Sequence, residues 1–120
     1  GLGDVYKRQV AENMIDAVVA VSGSAPAYVF MFIEAMADAA VAQGLPRNKA
    51  YTFAAQAVLG SAKMVLETGM HPGTLKDMVC SPGGTTIDAV CELERMGFRA
   101  SVESAMRICG EKSKKMTEGK

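Results

Sequence analysis

Six consecutive residues at positions 81–86, Ser-Pro-Gly-Gly-Thr-Thr, are the part of this sequence best suited to chemistry. Ser81, Thr85 and Thr86 carry hydroxyls that both donate and accept, while Gly83 and Gly84 let a ligand come close to the backbone. The apolar spacing that resumes at Ile87 puts this loop at the start of a helix. The first N–H groups of a helix have no intrahelical acceptor and sit at the positive end of its dipole, so the segment is a candidate site for a carboxylate or phosphate. The pattern by itself also describes a plain tight turn between helices, with Thr85 as an N-cap.

Three other groups near such junctions have simpler readings. His71, the only histidine, stands in His-Pro-Gly at another helix start, where a capping ring accounts for it better than acid–base work. Cys80 adjoins the loop, but an isolated cysteine is more commonly a small apolar filler, and it is assigned no function. Ser22, Gly23, Ser24, Ala25 and Pro26 form a turn-rich entry into a long helix.

Six helical segments must position these residues. Val10 to Val21 reads as a short element that ends in the turn formers of 22–26. A long helix then covers about 25–43 and stops at Gly44 and Pro46. The alanine-rich stretch 46–68, with Gly60 and Ser61 among its small residues, predicts a second long helix ended by Gly69. A third, short helix follows His71-Pro72, a fourth runs from Thr85-Thr86 to about Met96, and the last covers about 99–115 before a polar tail expected to fray. No stretch alternates as a strand does, so the fold class is all-α.

Composition narrows the function classes. A chain of 120 residues, 49% hydrophobic and 22% charged, suits one core. Its zero formal charge offers no field for a nucleic acid or an anionic membrane surface. The three cysteines have no CxxC spacing and fit a reducing cytoplasm, and with one histidine and no calcium-loop pattern no metal is expected. The apolar stretch 17–42 is interrupted by Ser22, Gly23, Ser24 and Pro26 and carries Glu34 and Asp38, which argues against a membrane span.

The segment HPGTLKDMVCSPGGTTIDAV, residues 71–90, resembles the signature region of pyrroline-5-carboxylate reductases, as do SGSAPAYVF at 22–30, Ala42-Gln43-Gly44-Leu45-Pro46 and Gly97-Phe98-Arg99. The resemblance spans residues 10–116. It implies a helical dimerisation fold of the 6-phosphogluconate dehydrogenase C-terminal-like type, interlocked with a second copy, and a homodimer at least, with larger assemblies of dimers open. It implies the reduction of 1-pyrroline-5-carboxylate to L-proline with NADPH or NADH, in which Ser81, Gly83, Gly84, Thr85 and Thr86 bind substrate. Thr86 is implied as the catalytic residue, orienting the ring nitrogen, while Ser24, Ala25 and Pro26 lie near the cofactor.

Many family members have glycine where this chain has Ala25, a change tolerated only if the backbone there keeps a negative φ. The dinucleotide fingerprint GxGxxG after a strand is absent, so the cofactor is expected to be held mainly by a Rossmann domain preceding this one. Residues 1–9, GLGDVYKRQ, do not resemble the family and are expected to be an unrelated leader, with the domain occupying 10–120. A helical dimerisation module standing alone, and the helical domain of another imine reductase, are the alternatives.

Overall fold

The structure, a computed structural model, describes residues 14–119; the expected leader at 1–9 lies outside them. The described chain is helical and contains no strand: α1 (Ile15–Val18), a π-helical turn (Val19–Gly23), α2 (Ala25–Ala42), α3 (Arg47–Thr68), α4 (Pro72–Val79), α5 (Thr85–Arg95) and α6 (Phe98–Glu118). It divides into two compact units, one made of residues 14–30 with 97–119 and the other of 31–96.

Local chemistry explains the helix ends. α2 closes in a Schellman arrangement, with Gly44 N–H bonded to the Val41 carbonyl at 2.9 Å, Leu45 N–H to that of Ala40 at 3.0 Å, and Gly44 at φ +106. α3 ends at Gly69, whose left-handed φ of +66 only glycine adopts without cost. The Arg47 guanidinium reaches back across the α2–α3 turn to pair with Asp38 and lies 5.6 Å from the centroid of the Tyr51 ring. At the start of α4 the His71 ring accepts a hydrogen bond from Gly73 N–H at 2.9 Å, which confirms its capping role.

Two expectations, on the apolar run and on the polar tail, need correction. The turn formers of 22–26 make the expected entry from a short element into the long helix: the chain passes through the π-helical turn, with Ser24 N–H bonded to the Val19 carbonyl at 2.9 Å, and enters α2 directly. The Ser22 hydroxyl bonds the Val18 carbonyl at 3.0 Å, and Pro26 falls in the first turn of α2, where its missing N–H would have had no partner. As a result, Ile15–Ala42 is long and apolar enough, by length and composition, to cross a membrane, a test the sequence reading expected it to fail. The polar tail, expected to fray, is helical through Glu118. Its lysines favour the C-terminal end of a helix dipole, and Ser113 ties it to α1 by donating to Asp16 at 2.7 Å.

In the unit that holds α1, the π-helical turn and α6, these three elements pack on one another around Ala20, which is 3% exposed. In the 31–96 unit the helices meet one another only sparsely. Among the described residues the buried side chains are all alanines, Ala20, Ala37, Ala50 and Ala54, while Phe53 (60%), Leu59 (61%) and Leu66 (78%) on α3 stand open. Alanine burial contributes little, and leaving side chains of that size in water forgoes about 1.5–3 kcal/mol each. We therefore expect the protein to self-associate: light scattering at micromolar concentration should return at least a dimer mass, and a monomer mass would contradict this reading.

Candidate functional site

The 81–86 loop is a turn whose shape follows from its residues. Pro82 occupies its second position and Gly83 its third, with φ +70, and Gly84 N–H closes it on the Ser81 carbonyl at 3.1 Å. This is type II geometry, which needs glycine where φ is positive. Gly84 is the N-cap of α5, with no side chain capping the helix, so Thr85 is the first helical residue and not the cap the pattern allowed.

The glycine at 84 is required by a close approach. A Cβ built there would lie 2.5 Å from the Ser81 Oγ and 3.3 Å from its carbonyl oxygen. The turn thus folds the Ser81 hydroxyl back against Gly84, the N-cap of α5. Elsewhere in the chain, Thr52, Ser61, Thr68 and Thr117 spend their hydroxyls on the carbonyl four residues earlier. Thr85 and Thr86, in the first turn, have no helical carbonyl behind them, and among the described residues Ser81, Thr85 and Thr86 make no side-chain hydrogen bond. Thr86 is half-buried; Ser81 and Thr85 are exposed. The loop therefore presents three unspent hydroxyls and a helix N-terminus, a set suited to a carboxylate with an adjacent hydrogen-bonding atom.

Ser24, Ala25 and Pro26 belong to the other unit. Ala25 begins α2, and no non-glycine residue among those described has positive φ, so the alanine meets no backbone conflict. Ser24 is engaged in a way the sequence did not signal: the Cys109 thiol, 85 residues away on α6, donates to its Oγ at 3.2 Å. The neighbouring Cys109 side chain as a hydrogen-bonding group, with partial desolvation and its electrostatic influence behind it, holds the Tyr28 phenol above its ordinary pKa. No group of three or more potential metal ligands occurs among the described residues.

Residues 12–116 match the model of the family described as pyrroline-5-carboxylate reductase dimerisation. The chain belongs to that family. It is 72% identical over 109 residues to the pyrroline-5-carboxylate reductase of Escherichia coli, covering 91% of this chain and 40% of that one. The enzyme of the same name from Arabidopsis thaliana is 53% identical over 107 residues, with 89% and 39% covered. The chain thus spans about two fifths of the length of these curated relatives.

Among solved structures it superposes with a TM-score of 0.85 on the Plasmodium falciparum pyrroline carboxylate reductase with NADP bound, at 38% identity, covering 89% of this chain and 43% of that one. A reductase from Streptococcus pyogenes gives 0.85 at 42% identity, with 88% and 41% covered. The family's all-α dimerisation fold is therefore the fold of this chain.

The close approach of Ser81 to Gly84 leads to a prediction for a reductase carrying this domain. Gly84→Ala, which displaces the serine hydroxyl, should raise KM for a carboxylate substrate about ten-fold, the worth of one charge-assisted hydrogen bond. Steady-state kinetics checks it, and an unchanged KM would remove Ser81 from the site.

Proposed function

We propose that residues 10–120 are the dimerisation and substrate-binding part of a pyrroline-5-carboxylate reductase that forms L-proline from 1-pyrroline-5-carboxylate in the cytoplasm. The observation that carries this reading is the uncapped N-terminus of α5 with the Ser81 hydroxyl folded back against its N-cap, Gly84, in a chain of this family. The substrate pairs a carboxylate with a neighbouring ring nitrogen, and the loop pairs an anion cradle with the Thr86 hydroxyl one residue further on. Backbone N–H groups at 85 and 86 and the Ser81 hydroxyl would take the carboxylate, and Thr86 would hold the nitrogen.

When bound, reduced nicotinamide supplies a hydride to the imine carbon. As C=N becomes C–N, the nitrogen must gain or keep a proton. A threonine hydroxyl is too weak an acid to deliver it unaided, so Thr86 acts by fixing the ring, with water or an already protonated substrate supplying the proton. This chain's share in holding NADPH or NADH would come from Ser24, Ala25 and Pro26 at the start of α2, near the cofactor. A preceding Rossmann domain would hold the rest.

The partner is a second copy of this chain, seated on the open α3 face, with assemblies of dimers as the larger form. Dimer packing also accounts for the apolar run Ile15–Ala42 without a membrane.

The test joins residues 10–120 to the part of the Escherichia coli relative that precedes the matched region. The joined protein should oxidise NADPH in the presence of 1-pyrroline-5-carboxylate, and residues 10–120 alone should not. Thr86→Ala should lower kcat/KM on the order of ten- to a hundred-fold at an unchanged melting temperature. Full activity in Thr86→Ala would end its assignment, and an inactive joined protein that folds and dimerises would favour a dimerisation module.

A further inference from the structure

The unit that holds α1, the π-helical turn and α6 has a groove between its first and last helices, while the 81–86 loop and the open α3 face belong to the other unit. Ala17, Ala20 and Gly110 line it, and their small side chains keep it open. A Cβ added to Gly110 would meet nothing nearer than the Asp16 carbonyl oxygen at 3.9 Å, an ordinary contact, so packing inside the unit does not demand this glycine. Val21 lines the same groove, and at 56% exposure its own unit leaves more than half of it in water.

Three charged side chains of α6, Arg107, Glu111 and Lys114, line the groove as well, at i, i+4 and i+7 on one helix face. Glu111 and Lys114 have no ion pair among the described residues. A small apolar lining with charges of both signs beside it has the anatomy of a protein interface, whereas a lipid surface or a nucleic acid asks for one sign. Connectivity favours one protein partner. The chain covers 40% of the Escherichia coli relative and matches its C-terminal part, so the remainder joins just before α1, whose Asp16 and Ala17 line the groove. A domain tethered at the groove's own edge meets it at an effective concentration of roughly millimolar.

We propose that the groove between α1 and α6 seats the preceding, dinucleotide-binding domain of the same chain, which covers Val21 and pairs its own charges with Glu111 and Lys114. The seat fixes the angle at which that domain is held to the helical part. This rests on the reading that such a domain precedes α1.

The joined reductase described above tests this. Gly110→Leu fills the groove from α6 without a clash at Cβ and with a better helix former, so the melting temperature should not fall and light scattering should still return the dimer mass. Its radius of gyration in small-angle X-ray scattering should rise. Its kcat/KM should drop about ten- to a hundred-fold, because a nicotinamide held by an undocked domain no longer meets substrate in one geometry. Val21→Lys should act in the same direction, and Gly110→Ala, which adds one methyl group, should stay close to the unmodified protein.

An unchanged radius of gyration in both Gly110→Leu and Val21→Lys overturns the proposal, whatever kcat/KM does. Loss of the dimer mass also overturns it, because the groove would then belong to the second copy. An unmodified joined protein without activity removes the reductase reading alone; a larger radius of gyration in its Gly110→Leu variant still supports the docking.

Discussion

Burial is the constraint on which the rest of this structure depends. The only buried side chains among the described residues are alanines, and the phenylalanines, leucines and methionines that would fill an ordinary core lie on open helix faces. Small residues on α3 explain both halves of this: Ala50 and Ala54 bury little, and Gly60, with nothing within 4 Å of a Cβ built on it, leaves room for a close neighbour. A helix with such a face is stabilised chiefly by what packs on it, because length and propensity alone leave a helix marginal in water. Membership of a dimerisation family is the biological form of the same physical demand.

The 81–86 loop, proposed to bind substrate, is shaped differently. Its shape is local, set by Pro82, by the positive φ of Gly83 and by the 3.1 Å turn bond into Gly84. Its usefulness is not local: an uncapped helix start is poorly satisfied by itself, and the sequence leaves it so by placing glycine at the N-cap of α5 while giving α4 the His71 ring. Of these two neighbouring helices one is capped by its own side chain and the other is left open, which agrees with the proposed binding of a carboxylate at the start of α5.

The unit formed by the two ends of the chain is held differently, by polar links between α6 and the first turns. Ser113 to Asp16 and Cys109 to Ser24 join residues 97 and 85 positions apart. Such bonds add modest stability each, but they fix orientation, which apolar contact between alanines does not. That is why the terminal helix runs on as a helix through a stretch of lysines and glutamates that reads as a fraying tail.

The order of helices, their ends at Gly44, Gly69 and Gly97, and the 81–86 loop were legible in the sequence, since periodicity, glycine and proline act over a few residues. The His71 cap was legible for the same reason. Three features were not. The π-helical turn across 19–23 defied the turn formers around it because Ser22 could bond its hydroxyl to Val18 and stay in the helix. The N-cap fell on Gly84 and not Thr85 because the turn bond to Ser81 shifted the helix start by one residue. The meeting of Cys109 with Ser24 needed the tertiary structure, because no local pattern records which helix faces which across 85 residues.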